Sequence, residues 1–237
     1  MDKGNSITRR EALKKIGAVA VGAAIGSSAM AAIDSVNTKS KDNNRNKMKA
    51  LAINGSSRMR GNTADMLDIV LKELEKEGFE TEQIELAGNV IEPCKACFAC
   101  QGKGNCVFGN DKFQEIFTKM KEADAIILGS PTYSADVSST LKAVIERASV
   151  VSDVNPGLFR HKVGGAVAVA RRGGAMNAID TINHFFLNKE MFLVGSTYWN
   201  IVYGRLPGEA AKDEEGVANM KNLGQNMAWL LKILNKQ

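Results

Sequence analysis

From Met48 onward the chain alternates between short, solid apolar runs and apolar stripes that recur three and four residues apart. Ala50-Leu51-Ala52-Ile53 is a run of the first kind and predicts a buried strand. Leu67, Val70, Leu71 and Leu74 recur at helical spacing and predict an amphipathic helix that stops at Gly78. Phe79 to Leu86 alternates weakly and reads as a second strand. Phe113, Ile116, Phe117 and Met120 form the next helical stripe, begun by a cap at Asn110 or Asp111. Ala125-Ile126-Ile127-Leu128-Gly129 is a third strand, Leu141, Val144, Ile145 and Ala148 carry a helix, and Val163 to Ala170 is a fourth strand. A helix over Met176 to Phe186, a fifth strand at Phe192-Leu193-Val194 and a last helix lined by Val217, Met220, Leu223, Met227, Leu230, Leu231 and Leu234 complete the pattern.

Strands that alternate with helices imply a parallel sheet covered on both faces, with right-handed crossovers. The predicted architecture is therefore α/β, a doubly wound five-stranded parallel sheet of order 2-1-3-4-5 with helices on both faces. Such sheets bind ligands beyond the carboxyl ends of their strands, around the point where the strand order reverses. The loops after strands one, three and four meet at that edge.

The segment before Met48 reads differently. Thr8-Arg9-Arg10-Glu11-Ala12-Leu13-Lys14-Lys15 is followed by an uncharged Ala/Gly-rich run from Ile16 to Ala32, and Ala29-Met30-Ala31 offers a small-x-small cleavage site. Residues 1–31 resemble a twin-arginine (Tat) export signal, which implies passage of a folded protein to the periplasm or outer face of the cytoplasmic membrane. An ordinary Sec signal or a membrane anchor fits the same run, a retained run would tether the domain, and without recognition the protein would stay cytoplasmic. Residues 32–47, rich in Asn, Lys, Ser and Asp, predict a disordered linker. The domain then covers 48–237.

At 44% hydrophobic and 24% charged residues the chain has the composition of a globular protein with a sizeable core. Its net charge of +5 lies entirely before Met48; the rest carries twenty-two basic and twenty-two acidic residues. Nothing in that balance supports a nucleic-acid groove. With only His161 and His184 present, His-rich metal sites and a Ser-His-Asp hydrolase are poor fits.

All four cysteines fall within thirteen residues, Cys94, Cys97, Cys100 and Cys106, in the spacing C-x2-C-x2-C-x5-C. Four thiolates in reach of each other can surround one metal centre, and tandem x2 spacing is of the kind used by cysteine-ligated iron-sulfur clusters. Gly102 and Gly104 supply permissive backbone to bring the fourth sulfur round. Structural zinc, two disulfides in an exported protein, or independent thiols are the other assignments open to these residues.

The first predicted loop has the composition of a phosphate cradle. Ser56, Ser57, Asn62 and Thr63 offer short polar side chains, the following helix presents free N–H groups, and Arg58 and Arg60 add charge. A polar turn with Asn62 as helix cap fits the same residues, and no Walker lysine pattern is present. Pro131-Thr132-Tyr133 puts an aromatic ring at the end of the third strand, suited to a planar ring system or simply half-buried in a turn. Arg171-Arg172-Gly173-Gly174 is either a further contact to such a ligand or a basic turn.

With Asn54-Gly55-Ser56-Ser57-Arg58, Gly61-Asn62-Thr63, the cysteine run, Gly129-Ser130-Pro131-Thr132-Tyr133, Ser138-Ser139-Thr140-Leu141-Lys142 and Arg171-Arg172-Gly173-Gly174, the domain resembles the flavodoxin-like NADPH-dependent FMN reductase superfamily, specifically its iron-sulfur flavoprotein branch. The resemblance implies FMN, its phosphate on Ser56, Arg58, Asn62 and Thr63 and its ring against Pro131, Thr132, Tyr133 and Ser134, with Gly173 and Gly174 close by. It implies a [4Fe-4S] cluster on Cys94, Cys97, Cys100 and Cys106, and a homodimer or homotetramer in which one subunit's cluster approaches another's flavin. The expected activity is electron transfer from a ferredoxin-like donor or NAD(P)H to a small acceptor or redox partner. The alternatives are a NAD(P)H-dependent FMN or quinone reductase with zinc or disulfides at the cysteines, and a flavodoxin-type carrier without a substrate of its own.

Overall fold

The structure, a computed structural model, describes residues 47–235. The export-type segment over 1–31, and all of the predicted linker except its last residue, lie outside them. In chain order the described elements are β1 (Lys49–Asn54), α1 (Asn62–Lys76), β2 (Glu80–Glu85), α2 (Phe113–Glu122) and β3 (Ala125–Pro131). Then follow α3 (Ser139–Asp153), β4 (Val163–Ala170), α4 (Ala175–Asn188), β5 (Phe192–Leu193), β6 (Ile201–Tyr203) and α5 (Glu214–Leu234).

The sheet is parallel throughout and runs β2-β1-β3-β4-β5, the predicted order. Its fifth position differs from the expectation of one strand. β5 pairs with Val163 and Gly164 at the start of β4, and β6 pairs with Ala168 to Ala170 at its end. Between them Gly195, Ser196 and Thr197 leave the ladder, and the two side chains bond locally or to α5: Ser196 Oγ donates to the Tyr198 carbonyl at 2.8 Å, and Thr197 Oγ1 bonds Asn219 Oδ1 at 2.8 Å.

Successive residues of the central strands point to opposite faces. Ala50, Ala52, Ala125, Ile127, Val163, Val167 and Val169 pack with α1 and α5, while Leu51, Ile53, Ile126, Leu128, Ala166 and Ala168 pack with α2, α3 and α4. Each large apolar side chain buried this way contributes about 1.5–3 kcal/mol. β2, an edge strand of sequence Glu-Thr-Glu-Gln-Ile-Glu, keeps a polar margin that discourages further pairing.

Side-chain caps fix where the helices start. Ser138 Oγ accepts from Leu141 N–H at 3.2 Å, and Asp213 Oδ1 from Gly216 N–H at 3.0 Å. α2 has Lys112 at the cap position, yet the predicted Asp111 still serves it, since its Oδ1 accepts from Phe113 N–H at 3.2 Å. Asn62 is the first residue of α1 rather than its cap, which is Gly61.

α1 and α5 cross so closely that only glycine fits at 224: a Cβ there would meet the Val70 carbonyl oxygen at 2.6 Å and Glu73 Cβ at 2.7 Å. Beside this contact the buried Glu73 carboxylate accepts from Lys76 Nζ at 2.6 Å and Gln225 Nε2 at 3.1 Å. The Lys76 hydrogen bond outweighs burial and holds the Glu73 carboxyl below the ordinary carboxylate range. Gly224→Ala gains about 1 kcal/mol of helix propensity but forces the helices apart. The expected net loss is about 1–3 kcal/mol, read as a fall in thermal midpoint of about 2–4 °C per kcal/mol; an unchanged or higher midpoint would contradict this packing.

Candidate functional site

At the carboxyl edge of the sheet, Ser56, Arg58, Asn62 and Thr63 from the β1–α1 loop line one cleft together with Pro131, Thr132 and Tyr133 from the end of β3. The loop closes on itself: Ser56 N–H donates to Asn54 Oδ1 at 2.9 Å, and Ser56 Oγ accepts from Arg58 N–H at 3.0 Å. α1 therefore begins in the cleft wall, with its first N–H groups free of helical partners. Arg171, at the end of β4, adds a second cation to the lining.

The Asn62 side chain is committed within the protein. Its Nδ2 donates to the Leu206 carbonyl at 2.9 Å and its Oδ1 accepts from Gly208 N–H at 2.8 Å. It thereby pins the loop after β6, which supplies Gly204, Arg205 and Pro207 as a fourth wall. The sequence reading omits that wall; its signal was Ile201-Val202-Tyr203, a short run of strand-favouring residues followed by the turn residues Gly204 and Pro207.

Ser134, Gly173 and Gly174 are not among the lining residues. Ser134 (φ 49°) and Ala135 (φ 61°) form the tip of a tight turn in which Tyr133 and Asp136 exchange backbone hydrogen bonds at 2.9 and 3.0 Å. That turn sets Ala135 against the loop after β4, where Gly174 lies so near that a Cβ would meet Ala135 Cα at 2.9 Å. Of these residues Gly174 packs behind the turn, also 3.4 Å from Thr132 Cγ2 for a Cβ built on it, while Ser134 and Gly173 are exposed.

The cleft fits a ligand with a phosphate end and a polar planar end. Thr132 Oγ1 is buried with no hydrogen-bond partner among the described residues, and a buried hydroxyl of that kind calls for one. The half-exposed Tyr133 follows it in the lining, and Arg58 with the free N–H groups at the start of α1 suits an anion.

The four cysteines line a second pocket, against α3. All carry free thiols; Cys100 is buried, Cys94 and Cys106 half-buried, and Cys97 exposed. Among the described residues no group of three or more His, Cys, Asp or Glu side chains is gathered closely enough to hold a single metal ion. The loop turns through left-handed residues at Ala96 (φ 48°), Phe98 (φ 54°), Gly102 (φ 71°) and Gly104 (φ 61°), the last two at the glycines expected to allow it. Asn155 staples it, donating to the Cys100 carbonyl at 2.9 Å and accepting from Gly104 N–H at 3.1 Å. Lys121 Nζ donates to the Gly104 carbonyl at 3.1 Å, and Gln114 to that of Cys106.

Arg147 of α3 lies at the base of this pocket and was not singled out from the sequence. Its Nη2 donates to Cys106 Sγ at 3.4 Å and to the Phe108 carbonyl at 2.9 Å, while Nη1 pairs with Asp111 and reaches the Glu92 carbonyl at 3.3 Å. The guanidinium stacks 4.1 Å from the Phe113 ring centroid. Burial opposes the charge of Asp111, but hydrogen bonds from Glu92 N–H, Arg147 and Phe113 N–H together hold its carboxyl below the ordinary range. Burial pushes the Cys100 thiol up, and the neighbouring cysteines add to the rise. The pocket's donor set of four cysteines thus suits a thiolate-ligated metal centre.

The family described as NADPH-dependent FMN reductase matches residues 48–205. An iron-sulfur flavoprotein of Methanocaldococcus jannaschii is 40% identical over 197 residues, covering 80% of this chain and 100% of that protein. In fold, RosB with a bound flavin intermediate superposes with a TM-score of 0.65 at 20% identity over 80% of this chain and 81% of the other. The WrbA-like flavodoxin from Agrobacterium tumefaciens gives 0.54 at 15% identity over 79% and 98%. The chain belongs to the NADPH-dependent FMN reductase family and is a flavin oxidoreductase of flavodoxin-like fold.

Proposed function

We propose that this protein is a two-cofactor oxidoreductase, with FMN in the cleft and a [4Fe-4S] cluster on Cys94, Cys97, Cys100 and Cys106. It takes electrons from a ferredoxin-like donor or NAD(P)H and passes them to a small acceptor or redox partner. The observation that carries this reading is the convergence of all four cysteines of an FMN reductase family chain on one pocket. The relative in M. jannaschii, matched over its whole length, is named an iron-sulfur flavoprotein, which supports it.

FMN supplies hydride and single-electron chemistry when bound, and a cluster exchanges single electrons. The chain's own residues bind and orient. Arg58 and the N–H groups at Asn62 and Thr63 hold the phosphate as a fixed anion site. Thr132 offers its hydroxyl to the ring edge, Pro131 and Tyr133 bound the ring, and Asn62 keeps the outer wall closed.

The two sites lie on different stretches of α3. Its cap, Ser138, donates its N–H to Ser130 Oγ at 2.9 Å beside the cleft, whereas Arg147, Val150 and Val151 line the cysteine pocket. At 1.5 Å per residue those positions are about 14–20 Å further along the helix. In a homodimer or homotetramer, exchange would run between the cluster of one copy and the flavin of another. The Arg9-Arg10 segment supports export of the protein in folded, cofactor-loaded form.

Anaerobically purified protein is expected to contain about four iron and one FMN per chain; stoichiometric zinc, or no metal after cluster reconstitution, would leave a simple FMN or quinone reductase. Arg58→Ala is expected to weaken FMN about tenfold, the equivalent of ~1.4 kcal/mol, while riboflavin, which lacks the phosphate, binds unchanged. Titration of flavin fluorescence checks this, and equal losses for both ligands would remove Arg58 from the phosphate site.

A further inference from the structure

The Arg147–Asp111 pair is too deeply set to be an incidental surface contact. The two side chains are 3% and 8% exposed, and all the hydrogen bonds they make go to the cysteine loop, its flanks or the start of α2. Holding an ion pair out of water costs several kcal/mol per ion unless its geometry is excellent, and apolar residues of similar volume would often be as stable. α3 had an apolar solution available, since Val144, Ala148 and Val151 occupy the same face. What distinguishes this pair is its direction. The guanidinium places Nη2 on Cys106 Sγ, while the carboxylate takes Nη1 and makes its other hydrogen bonds with Glu92 N–H and Phe113 N–H rather than with a sulfur.

We infer that Arg147 is a positioning residue that tunes the reduction potential of the metal centre on the cysteine loop, with Asp111 as its counterweight. The inference rests on the iron-sulfur reading of the cysteines. The step concerned is the addition of one electron from a one-electron reductant, with no bond made or broken and no proton transferred. The added negative charge is spread over the centre and its thiolates. A guanidinium that stays protonated throughout the accessible pH range, and that hydrogen-bonds one of those sulfurs, favours the reduced state and raises the potential. Low local dielectric strengthens the effect. Asp111 carries the opposite charge and bonds the cation rather than a sulfur, so the two residues act with opposite sign. A purely structural pair would give no such opposition.

The test is a potentiometric titration of the full-length, iron-loaded protein, followed by the electron paramagnetic resonance signal of the reduced cluster. Asp111→Asn keeps the hydrogen-bond acceptor for Phe113 and removes the counter-charge. It is expected to raise the midpoint potential by about 59 mV, a tenfold change in a one-electron equilibrium. Arg147→Gln combined with Asp111→Asn avoids a stranded buried carboxylate and is expected to fall below the single Asp111→Asn variant by at least as much. Arg147→Lys retains the charge and stays nearer wild type than the double variant. Iron-loaded variants with the wild-type potential would overturn the inference, as would variants that lose iron without a shift, which would make the pair a structural brace. Wild-type protein that takes up no iron would sink the iron-sulfur reading itself, and the inference with it; an iron-loaded wild type with unshifted variants would sink the inference alone.

Discussion

Burial of the central strands on both faces governs where chemistry can occur in this molecule. β1, β3 and β4 present apolar side chains to α1 and α5 on one side and to α2, α3 and α4 on the other. No polar ligand has room on either face, and groups able to bind one are displaced into the loops beyond the strand ends. The cleft is the direct product: its walls are the four loops that follow β1, β3, β4 and β6. The same burial explains why polar residues near the edge are so tightly committed to one another, as with Ser56 on Arg58 N–H and Asn62 on the loop at Leu206 and Gly208.

α3 joins the two sites mechanically. Ser138 caps its first turn and also ties to Ser130 beside the cleft, while nine residues further on Arg147 anchors the cysteine loop. The loop itself has little regular structure, and its order derives from outside: Asn155 just beyond α3, Lys121 and Gln114 on α2, and Arg147. A loop held by side chains from two helices can keep four thiols on one pocket wall without a strand or helix of its own.

Legibility in the sequence followed the range of each interaction. Periodicity is local, so β1, β3 and β4 and the helices that cover them were readable, as was the strand order once the alternation of strand with helix was recognised. β6 has only three residues, too few to show a period, and β5 stops early, with Ser196 and Thr197 bonded elsewhere. The cysteine motif was legible because its four thiols are close in the chain. The tie from the Asn62 side chain was not legible for the opposite reason: its partner Leu206 is 144 residues away. Arg147 is 41 residues from Cys106, and its only trace in the sequence was a lone cation on the apolar stripe of α3.

The central claim is that one chain carries two redox centres, and counting electrons tests it most directly. Anaerobic titration of the cofactor-loaded protein with a calibrated reductant, followed in the visible spectrum, is predicted to consume about three electrons per chain, two at the flavin and one at the cluster. An end point at about two electrons, with bleaching of the flavin bands alone, would contradict the account.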